Sequence, residues 1–394
     1  VQLKKLLIVG GGNLCLQILQ ILAPRNAFEF HVASRDLERV TRMCNLVRLA
    51  ALQLNVAVSI RCWQMELTLA RIEHNAELLA QIKPDIILNC ASLQSWRIIT
   101  QLPKEQFDAL DQAQLGPWLP MHLAPAYALM RAVKCSGVQS LAVNAAYPDA
   151  VNTVLYKVGM APDIGIGNIA NLVPATRCAI ARLACCEATD VKVKLIGQHF
   201  FSHSVPRKGL SADANFHLTY WVLGGDSTDF YSADEIFRSV AHDFRRLGGV
   251  DGQYLTAMSA VSVLQNLFAD SDVSVHAPGP HGLPGGYPVK IGRGRVLLDL
   301  PYGVKREVAI SINERGQRQD GIQSIHADGC VSFAEQQMSI MESMLGFSMP
   351  QLQVKEAEQW AAELGCKYHA FATHSSKQGS IQHVEQRNVT RRFA

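Results

Sequence analysis

No stretch of this 394-residue chain approaches the ~20 consecutive apolar residues that a membrane helix needs. No secretory leader is expected either, because the apolar run at 6–9 is short and glycines end it. Ten cysteines are present, yet none forms a CxxC pair and none has the cysteine–histidine spacing of a zinc site. The adjacent Cys185 and Cys186 cannot make an ordinary structural disulfide. The set reads as reduced, mostly buried thiols of a cytoplasmic protein, with no metal site. Charge of one sign is also missing. The 37 basic and 34 acidic residues leave only +3, so no nucleic-acid or polyanionic partner is expected. Internal repeats and low-complexity segments are absent. Apolar content is plentiful at 48%, enough for several cores, and roughly 150 residues per domain gives two to three domains.

The first half alternates short apolar strands with helical periodicity. Strands are expected at 4–10, 28–33, 56–62, 85–90, 141–144 and 164–168, and helices at 13–22, 37–54, 68–82, 118–135 and 149–159. The stretch 85–90 is apolar almost throughout, as in a parallel strand buried on both faces. The fold class is therefore α/β, with a Rossmann-type doubly wound parallel sheet over 1–170. After 170 the pattern mixes. Helices are expected at 175–185 and 253–268, and strands at 191–196 and 295–300. A loop at 276–286 holds three prolines and four glycines, and a hairpin at 324–333 turns on Asp328-Gly329. This outlines a second, mixed α+β domain at 171–330 for substrate and dimer contacts, then C-terminal helices and a polar tail over 331–394.

The clearest motif is Gly10-Gly11-Gly12-Asn13-Leu14-Cys15, between a strand and a helix. It is a Gly-x-Gly-x-x-Gly dinucleotide turn whose third glycine is replaced by Cys15. Gly10 makes the tight turn and Gly12 lets the backbone approach a pyrophosphate. The amides opening the helix, at Asn13 and Leu14, face the anion. An NAD site normally carries an acid at the end of the second strand, to accept from the ribose 2′-hydroxyl. Here that end reads Ala33-Ser34-Arg35-Asp36. Ser34 takes the acid's place and Arg35 can face a 2′-phosphate, which points to NADP(H). Asp36 takes the acid's role if the strand ends later. S-adenosylmethionine, which also asks for an acid there, is disfavoured.

Ligands of such sheets lie beyond the carboxyl ends of the strands. Asn89, Cys90, Ala91 and Ser92 follow the fourth strand, and Asn144, Tyr147 and Asp149 follow the fifth. All but Asp149 are candidate cofactor contacts. Asp149 is a candidate substrate contact, or else a helix cap.

Three stretches resemble the saccharopine dehydrogenase-like (saccharopine reductase) family. They are Ile8-Val9-Gly10-Gly11-Gly12, Val32-Ala33-Ser34-Arg35 followed by Leu37-Glu38-Arg39, and Pro84-Asp85-Ile86-Ile87-Leu88-Asn89-Cys90-Ala91. The resemblance covers about the first 150 residues. It implies a homodimeric pyridine-nucleotide oxidoreductase acting on an amino-acid-derived secondary amine or imine.

Candidates for chemistry come from the second half. His199 and His203 stand four apart, but the preceding segment reads as a strand and no third ligand is visible. His203 with Arg207 and Lys208 suits a substrate-contact loop. In the Gly/Pro-rich loop, His281 or Tyr287 could handle a proton, and Arg293 could hold a substrate carboxylate. The expected activity is NADP(H)-dependent hydride transfer at a C–N or C–O centre of a small amino-acid derivative. The alternative is a non-catalytic NADP(H)-binding sensor or scaffold.

Overall fold

The computed structural model describes residues 3–392, apart from the side chains of Trp96, Arg97 and residues 376–392. The first half builds β1 (Lys4–Val9), α1 (Asn13–Leu22), β2 (Phe28–Ser34), α2 (Leu37–Gln53), β3 (Ile60–Gln64) and α3 (Ile72–Ile82). Then come β4 (Ile86–Asn89), α4 (Lys104–Asp111), α5 (Leu119–Ser136), β5 (Leu141–Asn144), α6 (Pro148–Lys157) and β6 (Ile164–Gly165). The six strands form one parallel sheet in the order β3-β2-β1-β4-β5-β6. The order reverses between β1 and β4, which opens a crevice at their carboxyl ends.

Local chemistry explains these boundaries. Leu6 to Val9 and Ile86 to Leu88 are buried, because helices cover both faces of the sheet. α1 buries Cys15, Ile18, Leu19 and Leu22 at helical spacing. Asp36 starts α2 by accepting from the Arg39 amide at 2.9 Å. Lys83, in the left-handed region, stops α3 ahead of Pro84. Pro125 sits inside α5 and lacks an N–H, so the Met121 carbonyl one turn back is free of its helical partner. That carbonyl accepts from the Leu93 amide at 2.9 Å and ties the loop after β4 to α5.

The second half contains α7 (Ile169–Ala184), β7 (Val191–Gly197), α8 (His199–Lys208), β8 (Phe216–Val222), β9 (Gly225–Asp226), α9 (Ala233–Asp243) and α10 (Gln253–Asn266). It continues with β10 (Val273–Pro278), β11 (Gly286–Gly292), β12 (Arg295–Leu298), α11 (Arg306–Gln319), β13 (Ile322–Ile325), β14 (Val331–Phe333), α12 (Glu335–Leu345), β15 (Gln351–Leu352) and α13 (Ala357–Arg392). An antiparallel sheet runs β10-β11-β7-β8-β9 with β12 beside β11, and β13-β14-β15 form a small third sheet. One apolar core joins Leu6, Ile8 and Ile18 to Ala260 and Leu264 of α10 and to Val289 and Ile291 of β11. Another joins Trp118 and Val151 to Val331, Phe347 and Leu364. The three chain segments outlined from sequence thus share cores.

Some expected elements change length. β6 is two residues rather than five, and β10 and β11 shrink the Gly/Pro-rich loop to 279–285. That loop is clamped to α6: Asn152 Nδ2 donates to the Gly279 carbonyl at 3.0 Å, and the Gly285 amide donates to the Asp149 carbonyl at 3.2 Å. The segment read as a loop after β7 is α8, with Pro206 tolerated inside it. The polar tail continues α13; its side chains from 376 on fall outside the described residues. No helix among the described residues is long and apolar enough to cross a membrane.

Candidate active site

The turn from β1 into α1 closes one end of an open groove of about 370 Å³. Gly10 has φ +110° and donates to the Ala33 carbonyl at 2.8 Å. A Cβ there would lie 2.8 Å from the Ala91 nitrogen, so only glycine fits. Gly12 caps α1 and has nothing within 4 Å of where a side chain would begin. Cys15, at the third-glycine position, is fully buried beneath the turn, and burial drives its thiol pKa well above the usual range. Ser34, Arg35, Asp36 and Arg39 line the groove on the β2 side, and Cys90, Ala91 and Ser92 line it on the β4 side. Asp36 caps α2 through Oδ1, while Arg35 is exposed at the groove.

Asn13 turns its side chain away, donating to Gln253 Oε1 at 2.9 Å and so docking α1 on α10. Asn89 and Asn144 are buried and spend their amides within the protein. Asn89 Nδ2 donates to Asn144 Oδ1 at 2.9 Å, and Asn144 Nδ2 donates to Asn152 Oδ1 at 2.8 Å. They shape the loops after β4 and β5 from beneath.

A second cluster lies past the end of β5. β7 ends at Gly197, and Gln198 caps α8 by accepting from the Phe200 amide at 2.6 Å. This puts His199 in the first turn of α8. Its Nδ1 lies 3.0 Å from Asp320 Oδ2. The same carboxylate accepts from the Tyr147 hydroxyl at 2.6 Å and from Gln198 Nε2 at 3.1 Å. Asp320 is fully buried and His199 is 8% exposed. A carboxylate oxygen accepts, so the contact at Nδ1 is an N–H donated to Asp320, and Nε2 lies on the opposite side of the ring. Asp320 arrives from the end of α11, 121 positions along the chain. Its carbonyl accepts from the Gly116 amide at 2.7 Å. A Cβ on Gly116 would stand 2.5 Å from that oxygen.

Rings extend the cluster in a row. His122 meets Tyr147 edge-on at 6.1 Å, Tyr147 meets His199 at 5.7 Å, and His199 stacks on His203 at 5.4 Å. Burial, helped by the nearby His199, lowers the His122 pKa to about 4. Burial raises Asp149 to about 6, with His199 and the Asn168 amide pulling the other way. His122 lies one turn before Pro125, which lines the groove, so cluster and groove adjoin.

The residues expected from sequence separate accordingly. Tyr147, Asp149, His203 and Arg207 come together. Arg207 sits 3.1 Å from Asp111 and 2.8 Å from His203 Nε2, toward the surface. Lys208 is exposed at the end of α8. His281 is exposed, with Nε2 2.7 Å from the Val296 carbonyl. Tyr287 is fully buried in β11, where burial raises its pKa. Arg293 stands in the turn between β11 and β12 and donates to the Asp270 carbonyl at 2.6 Å. On α8, His199 and His203 do lie one helical turn apart, but among the described residues no three ligating side chains converge on a metal position. Sequence reasoning did not nominate His122, Gln198, His199 or Asp320 for this site. The four-residue histidine spacing was the one available signal. Nothing local marks Asp320 or His122.

No protein-family model matches the sequence, and no curated protein matches it. Solved structures do. The chain is similar in fold to the lactate dehydrogenase of Eimeria maxima solved with NADH and oxamate, at 11% identity and TM-score 0.53, over 80% of this chain and 92% of that one. It is similar to the lactate dehydrogenase of Cryptosporidium parvum complexed with lactic acid and nicotinamide adenine dinucleotide, at 15% identity and TM-score 0.54, over 81% and 99%. The malate dehydrogenase of Plasmodium falciparum matches at 13% identity and TM-score 0.54, over 80% and 98%. Covering about 80% of the chain, these likenesses reach beyond the first 170 residues and correct the saccharopine dehydrogenase-like resemblance. That resemblance rested on the glycine turn and strand ends of the first 150 residues. Such features serve any dinucleotide-binding βαβ unit, whereas the second domain separates one fold from another.

Proposed function

We propose that this chain is an NADP(H)-dependent oxidoreductase that moves hydride to or from a small-molecule carbon bearing oxygen or nitrogen. The observation that carries this reading is the buried His199–Asp320 pair, adjoining the glycine-turn groove at the carboxyl ends of a Rossmann sheet. The lactate and malate dehydrogenase likenesses support a nicotinamide nucleotide, and the groove's own chemistry favours the 2′-phosphorylated form. Asp36 is occupied as a cap, and Arg35 and Arg39 leave the rim cationic.

When bound, the nicotinamide supplies the hydride chemistry. The chain supplies the rest. Gly10 and Gly12 admit the pyrophosphate to the amides that open α1. Arg35 pairs with the 2′-phosphate. His199 gives a proton from Nε2 to the oxygen or nitrogen of a reduced substrate, and takes it back in the reverse direction. Asp320 fixes the ring's tautomer and offsets the positive charge that His199 carries while protonated. Tyr147 and Gln198 hold Asp320 in place.

The test is NADPH oxidation by the purified chain across a panel of aldehydes, ketones, 2-oxo acids and their imines. Turnover should appear for one class and fall at least 100-fold in His199→Gln. Arg35→Ala should weaken NADPH binding about 10- to 100-fold, the 1.5–3 kcal/mol of a charge-assisted bond, and leave NADH unchanged. Tighter NADH than NADPH binding in the unmodified chain sinks the cofactor assignment. Full turnover in His199→Gln sinks the mechanism.

A further inference from the structure

His122, in the first turns of α5, is 7% exposed, and both its ring nitrogens are enclosed with no hydrogen-bond partner. Leaving a buried polar group unpaired costs about 1–3 kcal/mol, and native interiors keep few such groups without a reason. A leucine would occupy the same place at no such cost. The ring is held neutral by burial and by the nearby His199. A neutral imidazole presents one N–H donor and one bare nitrogen acceptor.

A second unpaired group comes from the neighbouring loop. The Leu93 amide bonds the Met121 carbonyl that Pro125 leaves free. This joins the chain at Gln94 to the turn carrying His122, and Gln94 Nε2 is likewise buried without a partner. Across the ring row, one carboxylate oxygen of Asp149 is also unpaired. His122 on one side of the Tyr147–His199 pair, and Asp149 beside it, thus each carry a buried, unpaired polar atom.

We propose that His122 is a substrate-binding residue, and that it takes an uncharged polar group, a carboxamide or a hydroxyl, next to the carbon that exchanges hydride. The proposal rests on the reading of His199 given above. An anionic group suits the position poorly. Asp320 and Asp149 are buried in the same cluster, and like charges about 5 Å apart repel by roughly 3 kcal/mol at an effective dielectric of ~20.

The experiment uses the full chain saturated with NADPH and labelled with ¹⁵N at histidine. Lactamide and lactate are the probes, because they differ only in carboxamide against carboxylate. Lactamide should shift the His122 ring nitrogens and bind at least tenfold more tightly than lactate. His122→Leu should lose at least tenfold in lactamide binding, while the Tm of the nucleotide-free protein holds or rises. His122→Asn, which keeps a donor and an acceptor, should recover part of the loss. Lactate binding as tightly as lactamide overturns the proposal. So does a His122 signal that neither probe moves, including the case where only His199 responds. A lower Tm in His122→Leu would mean that the ring is already satisfied within the protein, and also overturns it. Failure of the His199 reading is seen separately, as NADPH oxidation that survives His199→Gln.

Discussion

Replacing Asp320 by Asn keeps the side chain's volume and removes its charge. The carboxylate now accepts from Tyr147, Gln198 and His199 at 2.6, 3.1 and 3.0 Å. An amide offers one oxygen in place of two and brings two N–H donors of its own. At least one of the three donors then loses its acceptor, in a place closed to water. Each such loss costs about 1–3 kcal/mol, so Asp320→Asn should unfold roughly 2–5 kcal/mol more easily. Catalysis should suffer independently. Opposite charges about 4 Å apart attract by about 4 kcal/mol at an effective dielectric of ~20. Both partners are buried, so little of this is lost to solvent. If His199 carries full positive charge in the transition state, the rate should drop up to about 10³-fold, at 1.36 kcal/mol per decade. Urea unfolding reads the first effect, and single-turnover NADPH oxidation at saturating substrate reads the second. Histidine ¹⁵N spectra report whether the proton leaves Nδ1. Adding Tyr147→Phe removes one stranded donor and should restore about 1–3 kcal/mol of stability without restoring the rate. Turnover within threefold of wild type, with the His199 tautomer unchanged, would refute the reasoning and make the pair purely structural.

Gly10→Ala should abolish NADPH binding and lower Tm, since its Cβ meets the Ala91 nitrogen at 2.8 Å on a residue with φ +110°; fluorescence titration and thermal melts check both. His276 Nε2 accepts the Leu195 amide at 3.0 Å, and burial lowers its pKa to about 4. Its depressed value gives stability that is present above about pH 6.5 and lost as pH falls through 4. His276→Gln should therefore flatten the acid side of the urea stability profile by up to roughly 3 kcal/mol. Asp149 has the opposite sign. Its pKa is raised to about 6, so its stability is full below about pH 4 and lost as pH rises through 6. Asp149→Asn should thus gain on the parent chain between pH 4 and 7 by roughly 3 kcal/mol, and a gap that narrows with rising pH would contradict this. Gly116→Ala should push the Asp320 backbone aside and lower turnover together with Tm, read by the same assays.

The parallel sheet was legible because its signals are local. Buried strands read as apolar runs, α1 as a 3.6-residue period, and Gly10 as the residue of a tight turn. Asp36 was ambiguous in sequence, since the same carboxylate can cap a helix or accept from a ribose. The Arg39 amide at 2.9 Å from Oδ1 shows the capping role. The second half was read less well. α8 begins straight after a strand and carries a proline, so its periodicity is short and broken. The Gly/Pro-rich loop looked functional by composition, but its backbone is taken up in hydrogen bonds to α6.

By itself the sequence determined a Rossmann-type sheet, the place of the glycine turn after its first strand and a cationic residue, Arg35, at the end of the second. Each of these depends on residues within a few positions of one another, whose spacing sets backbone geometry directly. Only the tertiary structure decided the His199–Asp320 pair. It brings together the start of α8 and the end of α11, with Tyr147 from the loop after β5. No periodicity links residues 121 positions apart. Their meeting is set by how the shared cores pack, and by a glycine at 116 that lets one backbone reach another.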